Sequence, residues 1–88
     1  MNTVDRIRTT LVGGLAPQHL DVIDESARHA GHAGARPGET THVRVRVLAA
    51  AFAGKSRIER HRLVNELLAS EIAAGLHALA IEARAPGE

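Results

Sequence analysis

S-R-I-E-R-H-R-L-V-N-E-L-L-A-S-E-I-A-A-G-L-H-A-L-A-I, residues 56–81, carries the clearest helix start and the sharpest change of period in the chain. Ser56 followed three residues later by Glu59 is a capping box, in which each side chain can satisfy the other's orphan amide. Ile58, Val64, Leu67, Leu68 and Ile72 recur at helical spacing and are expected to face inward, with His61 at their edge. Gly75 is a natural terminator, because glycine adopts the left-handed conformation that closes a helix. From Leu76 the pattern changes to period two, so a strand is expected over 76–83 after a helix over 56–74. His77 stands at that switch.

Working outward, residues 41–50 give a second strand. Val43, Val45 and Val47 point one way and His42, Arg44 and Arg46 the other, so one sheet face is core and the opposite face is polar and basic. A strand–helix–strand unit of this length favours a right-handed crossover, with the two strands parallel if they are neighbours. Residues 3–15 read as a helix on Val4, Ile7, Leu11 and Leu15, capped by Asn2 or Thr3 and stopped by Gly13, Gly14 and Pro17. Residues 19–25 read as a strand that pairs antiparallel with the next. Between these two strands, residues 26–40 form a loop with Gly31, Gly34, Pro37 and Gly38 as turn residues and Arg28, His29, His32 and Arg36 as polar cargo. A loop of that length in so small a domain is usually functional or mobile. The order is α-β-β-α-β: an α+β domain with a three-stranded mixed sheet and its helices on one face.

The bulk numbers narrow the chemistry. Eighty-eight residues make one domain, 1–88, with a small aliphatic core whose single aromatic is Phe52. The net charge of +1 makes no strong electrostatic demand for nucleic acid or an anionic membrane. Cysteine is missing, which removes disulfides, thiolate zinc sites and cysteine nucleophiles. No apolar run resembles a signal peptide or a membrane span, so a cytoplasmic protein is expected. The six histidines are the main chemical resource.

Several motifs lose to plainer readings. Gly54-Lys55-Ser56 looks like the end of a phosphate loop, but the position that needs the first glycine holds Ala49. Gly31-His32-Ala33-Gly34 matches the G-x-x-G of KH domains, yet it lies between two strands rather than two helices. His29 and His32 form H-x-x-H without further ligands at matching spacing. Arg60-His61-Arg62 is either a solvated helix edge or a basic surface for a partner or DNA. His77 is either a hydrogen bonder at a helix end or a ligand on a rigid element. No serine has a nucleophile-elbow setting, so enzyme activity is not expected.

The ordered set of Leu20–Ser26 with His29, Glu39–Val45, Phe52–Ser56, Arg60–Val64 and His77–Ile81 resembles the BolA family over nearly the whole chain. The resemblance implies a class II KH-like fold, in agreement with the element order. It also implies a partner, a monothiol glutaredoxin, and a 2Fe–2S cluster shared with it and with glutathione. The BolA-like chain would then be a monomer when free and a heterodimer with its partner. In such a complex His77 would be one iron ligand and a histidine of the 26–40 loop the other: His29 by motif order, with His32 as the alternative. A cysteine-free chain has to take thiolates from elsewhere, and imidazole ligation raises a cluster's potential. The implied role is iron–sulfur trafficking and regulation of iron homeostasis. The family's second role, a DNA-binding regulator of stress response and cell morphology, would use Lys55, Arg60, His61 and Arg62. A handful of phosphate contacts would make such binding weak and salt-sensitive.

Overall fold

The computed structural model describes residues 2–26 and 40–88. The first helix, α1, spans Thr3–Leu15. Asn2 is its cap, accepting the Asp5 amide on Oδ1 at 2.8 Å, and Ala16 closes it in the left-handed region at φ 45°. Three strands follow, β1 (His19–Asp24), β2 (His42–Leu48) and β3 (Ala78–Arg84), in the sheet order β1-β2-β3. β1 and β2 are antiparallel, with Val22 opposite Val45. β2 and β3 are parallel, with His42 opposite Ala78 and Leu48 opposite Arg84. The sheet is therefore mixed, as expected.

Helices α2 (Arg57–Leu67) and α3 (Ala69–Ala73) make the crossover. The capping box at its start is present in both directions. The Ser56 amide donates to Glu59 Oε1 at 2.8 Å, and the Glu59 amide donates to Ser56 Oγ at 3.1 Å. Those two bonds hold the Glu59 carboxyl below its ordinary value. The single helix expected over 56–74 is interrupted at Leu68, whose carbonyl accepts from both Glu71 and Ile72. The inward face is correspondingly shorter. Val64 and Leu68 are fully buried, while Ile58 is 64% exposed and Ile72 40% exposed. Ile58 lies six residues from Val64, about 120° round a 3.6-residue helix, and Ile72 follows the interruption that turns the face.

One face of the sheet is the core. Val43, Val45 and Val47 of β2 and Val22 of β1 are buried under Ile7, Leu11 and Leu15 of α1, with Val64, Leu68 and Phe52 beside them. Phe52 enters through a 3-10 turn, Ala50–Phe52, where the strand expected over 41–50 has already ended. Gly14 does more than weaken α1: a Cβ there would lie 2.8 Å from Leu67 Cδ2, so the glycine permits close approach of α2. The other sheet face holds interleaved charges rather than a basic field. Arg44 bonds Glu25 and Glu82, and Arg46 bonds Glu82, at 3.1 to 3.2 Å. Arg46 and Arg44 together hold Glu82 below the usual carboxylate range. Among the described residues no helix is long and apolar enough to cross a membrane.

Candidate functional site

His77 is placed by the end of the crossover. Gly75, at φ 129°, adopts a conformation that other residues rarely take. Its amide donates to Ile72 and the Leu76 amide donates back to Glu71, the two bonds of a Schellman closure. Leu76 is then buried, and the next residue is driven outward: His77 is exposed. It stands just before β3 rather than inside a strand starting at 76, because pairing begins at Ala78. The His77 and Ala78 amides both donate to the Thr41 carbonyl, at 2.7 and 3.0 Å.

Thr41 is the junction of this end of the sheet. Its own amide donates to Ser26 Oγ at 2.8 Å, and so does that of His42 at 3.2 Å. Its hydroxyl lies 2.9 Å from His42 Nδ1. Sequence alternation assigns His42 to the solvated face, yet it is only 8% exposed. Its ring packs against that of His77, with centroids 5.3 Å apart and planes at 58°. His42 is therefore the residue that pattern reading missed. The signal was available: if the two strands run parallel, their first residues meet at one end. Ser26 is fixed in turn by its amide's 2.9 Å bond to Asp24 Oδ1. The Asp24 carboxyl stays below its ordinary value, since hydrogen bonds from Ser26 and Thr40 together outweigh its desolvation, the largest single influence.

The other expected ligands, His29 and His32, lie outside the described residues, as does most of the 26–40 loop. Among the described residues no group of three or more His, Cys, Asp or Glu side chains is arranged to hold a metal ion.

The basic segment sits at the opposite end of the sheet and divides in two. Lys55 and Arg62 are exposed and His61 is half-buried. Arg60 turns inward, and its side chain is 12% exposed. The guanidinium donates to the carbonyls of Lys55 at 3.0 Å and Ala83 at 3.2 Å, and pairs with the Glu88 carboxylate through both terminal nitrogens. That pairing, with the Ala85 amide, pulls Glu88 down to about 2. Arg60 is thus committed within the fold.

A model of the family described as BolA-like protein matches residues 11–88. The chain belongs to the BolA-like family. A Sinorhizobium protein encoded in the region 5′ of cobS is 47% identical over 89 residues, covering all of this chain and 96% of that one. SufE-like protein 1 of Arabidopsis thaliana, chloroplastic/mitochondrial, is 48% identical over 88 residues, which cover 94% of this chain and only 24% of that protein. The solved structure of BolA1 from Arabidopsis thaliana superposes with a TM-score of 0.87 at 40% identity, covering 98% of this chain and 94% of that one. The α+β layer pair, with its three-stranded mixed sheet, is thus the fold of solved BolA structures.

Proposed function

We propose that this BolA-like chain is a non-catalytic partner of a monothiol glutaredoxin, sharing a 2Fe–2S cluster in iron–sulfur trafficking and iron homeostasis. The observation that carries the reading is His77: an exposed imidazole on a rigid base, pinned through its amide to Thr41, in a family-matched chain without cysteine. Rigid presentation is what a shared ligand needs, since positional slack of an ångström weakens a metal site. The donors present suit such a group in kind. Imidazole ligates iron, and the thiolates have to come from the partner and glutathione. When bound, the cluster supplies one-electron chemistry and labile iron ligation. The chain's own part is to hold His77 outward, keep its backbone fixed, and offer a loop histidine, His29 or His32, as the second donor.

The test mixes this protein with a monothiol glutaredoxin, iron, sulfide and glutathione. A heterodimer with the visible absorption and circular dichroism of a histidine-ligated 2Fe–2S cluster is expected. His77→Ala should abolish that spectrum while the cluster-free complex still forms; an unchanged spectrum would remove His77 from the ligand set. His29→Ala and His32→Ala, measured separately, identify the loop ligand. DNA binding draws less support. Arg60 is engaged inside the fold, and the arginines of the uncovered sheet face are paired with Glu25 and Glu82.

A further inference from the structure

We infer that His42 is a positioning residue for His77: its buried ring is a fixed wall that sets the direction of the exposed imidazole. The inference rests on the shared-cluster reading for its use, since it names what aims the proposed iron ligand. It starts from how little holds the His77 side chain. The main chain is pinned by the 2.7 Å bond from the His77 amide to the Thr41 carbonyl. A pinned amide fixes where the side chain begins and leaves the ring to turn about its own bonds. The residue is exposed, and among the described residues its ring makes no hydrogen bond. What the ring does meet is the ring of His42, with centroids 5.3 Å apart and planes at 58°. Planar rings pack at separations of about 4.5–7 Å and favour inclined over face-to-face arrangements.

A wall is of use only if it does not move, and His42 is held from several sides. Its amide donates to Ser26 Oγ at 3.2 Å, and its carbonyl accepts the Glu25 amide at 2.8 Å. Nδ1 of its ring lies 2.9 Å from the Thr41 hydroxyl. His42 is 8% exposed and Thr41 1%, so the ring is packed as well as bonded.

Register brings the two rings together. His42 lies opposite Ala78 in the parallel pairing, so the residue before Ala78 arrives beside it, just outside the ladder. His77 then has a rigid ring against it and solvent beyond. An imidazole backed in this way already has its direction before a partner arrives, and the ordering of that side chain no longer opposes binding. The role is one of shape. It uses the volume and rigidity of the His42 ring and asks nothing of its nitrogens toward the iron, whereas His77 supplies the donor atom.

The first arm of the test contains no partner, iron or sulfide. Three-bond couplings in the free full chain read the side-chain rotamer of His77. One dominant rotamer is expected in the parent; couplings averaged over the three staggered wells overturn the inference. In His42→Ala that averaging should appear at His77 while amide exchange at Ala83 and Ala85 stays unchanged, which separates lost aim from general loosening. A His42→Phe/Thr41→Val double variant supplies a flat ring with no nitrogen and leaves no buried hydroxyl without its partner. It should restore the single rotamer. Should His42→Ala fail to fold, the parent couplings and the double variant decide. The second arm adds a monothiol glutaredoxin, iron, sulfide and glutathione. The His42→Ala complex should lose its visible cluster spectrum about threefold to tenfold faster than the parent, through the freedom regained by His77. The double variant should keep that spectrum with a lifetime within about twofold of the parent. A spectrum lost as completely in the double variant as in His77→Ala overturns the inference, because the nitrogens of His42 would then be required. A parent that holds one rotamer but forms no cluster refutes the shared-cluster reading instead, and the wall stands on the first arm.

Discussion

β2 and β3 run parallel, so the pair has a starting end and a finishing end, and the two are built differently. At the starting end main-chain amides are gathered on shared acceptors. Thr41 gathers the amides of His77 and Ala78 on one carbonyl, Ser26 gathers two more amides on one hydroxyl, and two imidazoles are left side by side. At the finishing end the side chains do the holding. Arg60 of α2 reaches across to the Ala83 carbonyl and the Glu88 carboxylate, and Glu88 closes back on the Ala85 amide. Chemically versatile groups are presented at the first end. At the second, the most basic segment of the sequence is partly turned inward. A residue type alone does not say which of these uses it is put to; the neighbouring backbone does.

The contrast can be broken or sharpened by substitution. The largest effect is expected from Phe52→Ala, which empties the only aromatic site of the core and should destabilise both ends at once by about 3–5 kcal/mol. That is a large share of the roughly 5–15 kcal/mol typical of a domain, and urea unfolding measures it. Next is Ser26→Ala. It leaves the Thr41 and His42 amides without their hydroxyl acceptor and should cost about 1–3 kcal/mol. Faster hydrogen exchange should be confined to Thr41, His42 and His77, sparing Ala83 and Ala85. Exchange that rises equally at both ends would show that they are not independent. Ser56→Ala removes the cap of α2 and should cost about 1 kcal/mol, read as a lowered urea midpoint with the His42 and His77 ring spectra unchanged.

The smallest effect is electrostatic and belongs to the finishing end. Glu88 in the folded chain is pulled from 4.5 to about 2, chiefly by its hydrogen bond with Arg60. A depressed folded value means that the contribution is fully present above the ordinary value and is lost as pH falls from about 4.5 toward 2. Acid unfolding of the parent should therefore steepen through that window, and Glu88→Gln should flatten it. Both partners meet solvent, so added salt should shrink the difference. A parent and variant with the same acid profile would show that the pairing does not persist in solution.

Much of this was legible beforehand. The capping box, the Gly75 closure, the alternating valines and the element order all follow from local rules, and local rules act over a few residues. The misreadings came where distant parts decide. Ile58 fits the helical period but lies beyond the reach of the core, and the interruption at Leu68 turns Ile72 away from it. His42 alternates onto the solvated face, yet the register of β2 with β3 brings His77 against it. Arg60 reads as surface beside Arg62, and only the return of the chain at Ala83 to Glu88 reveals its acceptors. For the candidate site, His77 was readable from its position at a change of period. Its neighbour His42 is marked only by the pairing of two strands, because register is a long-range property that a single stretch does not display.

The parallel pairing of β2 and β3 also sets an order in time. His42 and His77 flank the whole crossover, so their contact closes the long loop that holds α2 and α3. Contacts that span such a loop are reached late, since closure entropy is paid before they form. During synthesis the first imidazole emerges before the second, so the pair cannot form until the crossover between them has been made. The neighbouring rings are thus a contact that a nascent chain cannot carry before His77 has been added.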